Sequence, residues 1–117
     1  MNILIADDSS SIRNLVRKFL EMEFPKANFF EAADGLEALE HHQAADLIVM
    51  DLGMPYMDGM AFVEKVRETD RKKPVLILSG QADPKTIRKL LDAGADDYLA
   101  KPFKSEILRD KVRQLMR

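Results

Sequence analysis

Three carboxylates, a hydroxyl and an ammonium stand just past short apolar runs in this 117-residue chain: Asp7 and Asp8 after residues 3–6, Asp51 after 47–50, Ser79 after 75–78, and Lys101 soon after 96–99. A bare carboxylate at the end of a buried strand is costly unless it has a partner or a use, and Asp51 is the sharpest case. Asp7 and Asp8 have an alternative use as caps of the helix that follows, but Ser9, Ser10 and Ser11 are better placed for it. Ser79-Gly80 alone reads as a turn and Lys101 alone as a surface lysine, so it is the joint spacing that points to chemistry. Two or three carboxylates with room for water are the oxygen ligands that a hard divalent cation takes, and Mg2+ is the usual ion where phosphate is handled. Two carboxylates about 4 Å apart repel by about 4 kcal/mol at an effective dielectric of about 20. An ion and a lysine would relieve that strain and leave a charge suited to a phosphoryl group.

The elements that must hold these groups alternate. Residues 2–6, 28–32, 46–50, 74–78 and 96–99 read as strands, and three of them are apolar on both faces, the pattern of buried parallel strands. Between them lie helix-length segments. In the first, Ile12, Leu15, Val16, Phe19 and Leu20 fall on one face, which predicts a core-facing stripe. Asp34 with Glu37 forms a capping-box pattern, Asp58 precedes the segment carrying Phe62, Val63 and Val66, and Asp83-Pro84 opens a helix with Ile87, Leu90 and Leu91 on one side. Gly94 is expected to end that helix. The last helix begins near Ser105 and is expected to bury Ile107, Leu108, Val112 and Leu115.

Five β-then-α units predict an α/β domain, a doubly wound parallel sheet covered by helices on both faces, over 1–117. In such a sheet the ligand site lies beyond the carboxyl ends of the strands, where all five chemical groups fall. The chain has no Cys, which removes disulfides and thiolate metal sites and fits a reducing compartment. Its longest apolar runs are far short of the ~20 residues that span a bilayer, and no leader pattern precedes the first strand, so a cytoplasmic location is expected. Eighteen basic against twenty acidic residues give a net charge of -2, with no general pull toward nucleic acid or membrane. His41 and His42 diverge by about 100° on a helix and read as solvated. Met54, Met57 and Met60 read as loop packing, and Arg71, Lys72 and Lys73 as a solvated turn.

As a set, Asp7-Asp8, Asp51 with Met54-Pro55 and Asp58-Gly59, Ser79-Gly80, and Tyr98 three residues before Lys101-Pro102-Phe103 resemble the receiver domain of two-component response regulators, over essentially the whole chain. The resemblance implies a flavodoxin-like (βα)5 fold with strand order 2-1-3-4-5. It implies that Asp51 accepts a phosphoryl group from a sensor histidine kinase or phosphotransfer protein. Asp8 and Asp51 would bind Mg2+ through their side chains, Asp7 largely through water, and Gly53 through its backbone carbonyl. Lys101 would pair with a phosphoryl oxygen beside a Lys101-Pro102 bond that is typically cis, Ser79 would hydrogen-bond the phosphoryl group, and Tyr98 would change rotamer. Ser79 stands where Thr is commoner, and Gly53 and Gln81 occupy positions that tune dephosphorylation. The fourth helix, fifth strand and fifth helix, with Lys85, Arg88, Lys89, Tyr98 and Lys104, would form the output face for an acidic partner or a second copy in a dimer. Such a domain is a switch, not an enzyme in the usual sense. Two alternatives stand beside it: a Mg2+-dependent aspartyl phosphatase, which would usually carry an Asp where Gly53 stands, and an interaction module that does not use phosphorylation.

Overall fold

The computed structural model describes residues 1–80 and 83–117. Five parallel strands, β1 (Asn2–Ala6), β2 (Asn28–Ala32), β3 (Leu47–Asp51), β4 (Val75–Ser79) and β5 (Asp97–Ala100), form one sheet in the order β2-β1-β3-β4-β5. Helices α1 (Ser10–Glu23), α2 (Gly35–His41), α3 (Gly59–Thr69), α4 (Pro84–Ala93) and α5 (Ser105–Leu115) alternate with them, and a 3-10 turn spans His42–Ala44. This is the doubly wound fold expected from the alternation.

The inner strands β1, β3 and β4 bury both faces because their apolar residues serve two cores in alternation. Leu4, Ala6, Ile48, Met50, Val75 and Ile77 face α2, α3 and α4 through Ala38, Phe62, Val63, Val66 and Leu90. Ile3, Ile5, Leu47, Val49, Leu76 and Leu78 face α1 and α5 through Val16, Leu20, Leu108 and Val112. Each fully buried large side chain contributes roughly 1.5–3 kcal/mol.

The strands β3, β4 and β5 each begin one residue later than the sequence pattern predicts. The displaced residues have other work. Asp46 accepts a hydrogen bond from the Asn2 amide, Pro74 has no N–H to offer, and Asp96 accepts from the Val75 amide and pairs with Arg67. At their far ends the strands gain Asp51, Ser79 and Ala100, so two of the chemical residues are the last ladder positions of their strands.

Helix starts are capped as expected. Ser9, Asp34, Asp58 and Asp83 accept from the amides of Ile12, Glu37, Ala61 and Thr86. The Glu37 carboxylate reaches back to Ala33, one residue before the cap itself. Gly94, at φ 119°, closes α4 in the left-handed region.

Three residues assigned to core faces are instead substantially exposed: Leu15, Leu91 and Ile107. Each lies at the margin of its apolar stripe. Leu15 borders a cleft with Ile12, Pro102 and Phe103, and Leu91 borders one with Ile87 and Tyr98. His42 departs in the other direction. It is buried, its ring set edge-on against Phe62 at 6.1 Å, because the 3-10 turn rotates it inward while His41 stays exposed and stacks on Phe30. Burial, and then the Lys73 ammonium, hold its pKa below the ordinary histidine value. Lys73 likewise leaves the solvated turn, its ammonium donating to the carbonyls of His42 and Gln43, while Arg71 and Lys72 remain exposed.

Candidate functional site

The chemical residues meet at the carboxyl edge of the sheet because the ladder runs past the strands there. The Asp7 amide donates to Ala32, the Leu52 amide to Leu78 and the Lys101 amide to Ser79, each at 2.8–3.0 Å. Backbone hydrogen bonds therefore fix the positions from which Asp7, Asp51 and Lys101 project.

Asp7 is buried, 1% exposed, and each of its carboxylate oxygens has a partner. One oxygen accepts from the Ser9 amide at 2.9 Å and the other from the Lys101 ammonium at 2.9 Å. The same ammonium lies 3.1 Å from the Asp51 carboxylate. Burial alone would pull the Lys101 pKa down, but the hydrogen bonds and charges of Asp7 and Asp51 outweigh it and leave it raised. Asp8 is exposed, and one carboxylate oxygen from each of Asp7, Asp8 and Asp51 lies within 4.8 Å of the others. An all-oxygen donor set of this kind, one side buried and one side open to water, fits a hard divalent cation.

Beside the carboxylates is a recess of about 230 Å³ lined by Asp51, Leu52, Gly53, Ser79 and Gly80. Of these Ser79 is the one fully buried residue. Gly53 is exposed, and a Cβ there would meet nothing within 4 Å. The Lys101-Pro102 peptide is cis. Tyr98 sits away from the recess, half-buried, with the Lys111 ammonium 5.7 Å from its ring centroid and a cleft of about 600 Å³ between it and α4. Gln81 lies outside the described residues. Met54 is buried in the core, with Met57 and Met60 packed against it.

Arg13 belongs to this site and carries no signal in the sequence. From α1 its guanidinium donates to the Asp7 carbonyl at 2.6 Å and to Glu31 at 3.0 Å, tying the ends of β1 and β2 together. A polar residue next to an apolar helical stripe reads as solvated, so only three-dimensional placement reveals it.

The family model for the response regulator receiver domain matches residues 3–113. The chain belongs to this receiver family. It is 34% identical over 116 residues to chemotaxis protein CheY of Halobacterium salinarum, covering 97% of this chain and 95% of that protein. It is 37% identical to response regulator MprA of Mycobacterium leprae, but there this whole receiver chain spans only 51% of the relative. The solved structure of chemotaxis response regulator CheY4 of Vibrio cholerae superposes with a TM-score of 0.87 at 35% identity, covering 97% of each chain. Receiver domains are phosphoacceptor signalling domains of two-component systems, and membership implies a histidine kinase partner in general terms. Among the described residues no helix is long and apolar enough to cross a membrane.

Proposed function

We propose that this receiver domain is a phosphorylation-operated switch acting in the cytoplasm, with Asp51 as phosphoryl acceptor. The observation that carries the reading is the position of the Asp51 carboxylate, which lines the recess together with Ser79, lies 3.1 Å from the Lys101 ammonium and joins Asp7 and Asp8 in the acidic group. A carboxylate oxygen of Asp51 forms a bond to phosphorus as the phosphorus–nitrogen bond of a phosphohistidine breaks, its electron pair returning to the imidazole. The chain's contribution is positioning and electrostatics, as phosphoryl transfer generally requires.

Lys101, already held between Asp7 and Asp51, pairs with a phosphoryl oxygen. Asp7, Asp8, Asp51 and the Gly53 carbonyl are the groups that would hold Mg2+, which when bound neutralises charge on the phosphoryl oxygens. Ser79 donates its hydroxyl to the phosphoryl group. Movement of Ser79 reaches β5 through the Lys101 amide, which donates to the Ser79 carbonyl at 2.8 Å. Tyr98, three residues earlier on β5, then shifts, and the surface of α4, β5 and α5 changes for an acidic partner or a second copy. Lys85, Arg88, Lys89 and Lys104 are exposed there.

A phosphatase acting on separate substrates is disfavoured by Gly53, two residues past Asp51, where such enzymes usually place a second acid. A module that ignores phosphorylation is disfavoured by the intact acidic group. Intact-mass measurement after incubation with acetyl phosphate and Mg2+ tests the reading. One phosphoryl group should add to the wild-type chain and none to Asp51→Asn; label on the variant at the wild-type rate overturns the assignment.

A further inference from the structure

We propose that Tyr56 is an anchor on which a phosphoryl-donating protein docks, a proposal that rests on Asp51 being the acceptor. Among the described residues Tyr56 is the one non-glycine at positive φ, 69°, and the residue is 83% exposed. A left-handed turn position favours Gly, Asn or Asp, and a bulky residue there is strained. Packing that would offset the strain is absent around a ring so exposed. Folding therefore gains nothing from an aromatic at this position, and an outlier of this kind points toward a use outside the fold.

The ring is held out by a loop that is itself fixed. The Gly35 amide donates to the Pro55 carbonyl at 3.4 Å and the Met57 amide to the same carbonyl at 2.8 Å. A Cβ on Gly35 would stand 2.2 Å from the Met57 carbonyl oxygen, so the loop lies directly on the start of α2. Tyr56 thus projects from a rigid base, five residues past Asp51, on the α2–α3 side of the sheet. Rigid tyrosines lose little conformational freedom on binding and are enriched among the residues that dominate interfaces.

The occupant follows from where the acceptor lies. The Asp51 side chain is only 14% exposed, so a donor must come down onto the carboxyl edge of the sheet. On the α1–α5 side that edge is bordered by the apolar cleft of Ile12, Leu15, Pro102 and Phe103; on the other side Tyr56 is the exposed apolar feature, with Leu36 half exposed just after Gly35. Asp8, in the acidic group, and Asp58, two residues past Tyr56, are both exposed. The surface that fits is a protein carrying its phosphohistidine between two apolar contacts, with basic side chains around them.

The test uses a panel of autophosphorylated histidine-kinase cores, taking as donor the one that transfers fastest to the wild-type chain, with acetyl phosphate as the small donor. Tyr56→Asn keeps a residue suited to positive φ and removes the ring; Tyr56→Phe keeps the ring. We expect Tyr56→Asn to raise the KM for the kinase donor about tenfold with kcat unchanged, and Tyr56→Phe to stay within about twofold of wild type. Labelling by acetyl phosphate should be the same in all three, and the Asn variant should melt no lower than wild type. A wild-type KM in Tyr56→Asn, an equal loss with acetyl phosphate, or a panel in which no kinase outpaces acetyl phosphate overturns the anchor. Failure of acetyl phosphate to label wild type at all instead overturns the acceptor reading beneath it.

Discussion

Lys101→Met removes one positive charge from between two carboxylates while keeping most of the stem that packs beside them. The ammonium lies 2.9 Å from Asp7 and 3.1 Å from Asp51, and the acidic oxygens lie within 4.8 Å of one another. Two unit charges at that 4.8 Å limit repel by about 3.5 kcal/mol at an effective dielectric of about 20, and more if closer. Removing one member of a buried ion pair typically costs about 3–5 kcal/mol, to be discounted here because Asp51 and Asp8 reach water. A loss of about 3 kcal/mol is expected in the absence of divalent cation, or roughly 10–15 °C in melting temperature for a chain of this size. Asp7→Asn introduced into the Lys101→Met background should recover about 2 kcal/mol, although alone it strips Lys101 of its most buried partner and destabilises. Added Mg2+ should stabilise Lys101→Met more than wild type, since the ion no longer competes with the ammonium for the same oxygens. Urea denaturation followed by circular dichroism, with EDTA or Mg2+ present, measures all three. A Lys101→Met variant within about 0.5 kcal/mol of wild type in EDTA, or an Asp7→Asn loss that simply adds to it, would refute the electrostatic account.

His42 supplies a pH test. Its folded pKa lies below the ordinary value of about 6.5, so on acidification the unfolded chain takes the proton first and stability falls from about pH 6.5 downward. His42→Leu should flatten that part of the acid limb in urea midpoints, and an unchanged slope between about pH 7.5 and about pH 5.5 would remove His42 as its source. Gly35→Ala places a Cβ 2.2 Å from the Met57 carbonyl oxygen and should cost about 1 kcal/mol or more, overpacking outweighing the gain in helix propensity. Gly53→Ala, with nothing within 4 Å, should be neutral to within about 0.5 kcal/mol, and equal midpoints for the two variants would contradict the close approach of α2 to the loop.

The parallel sheet and the end of it that carries the carboxylates were legible because three strands are apolar on both faces and the chemical groups follow strands directly. The caps at Ser9, Asp34, Asp58 and Asp83 were legible for a similar reason: each depends on a side chain and an amide three residues away. What escaped depends on tertiary placement. Leu15, Leu91 and Ile107 satisfy a helical stripe and yet lie at its margin, since periodicity gives a direction but not the width of the neighbour it faces. His42 is turned inward by a change from α-helix to 3-10 geometry that spacing on an ideal helix does not register. The strain at Tyr56 was hidden too, because a tyrosine in a loop gives no sign of its φ.

The hydrogen bonds at the carboxyl edge explain why a site built there is suited to signalling. Asp7 is tied to β2, the residue after Asp51 to β4, and Lys101 to the carbonyl of Ser79, so the chemical residues share one backbone rim. Their neighbours along the strands are buried in two packed cores, which resist continuous deformation. In the switch we propose, a new negative group at Asp51 draws on Lys101 and Ser79 together, and the least restrained direction for the response is toward β5. That strand lies at the sheet edge, and its Tyr98 is only half-buried beside a cleft of about 600 Å³. In that proposed switch, space next to the ring would let a shift of the Ser79 hydroxyl become a change of surface.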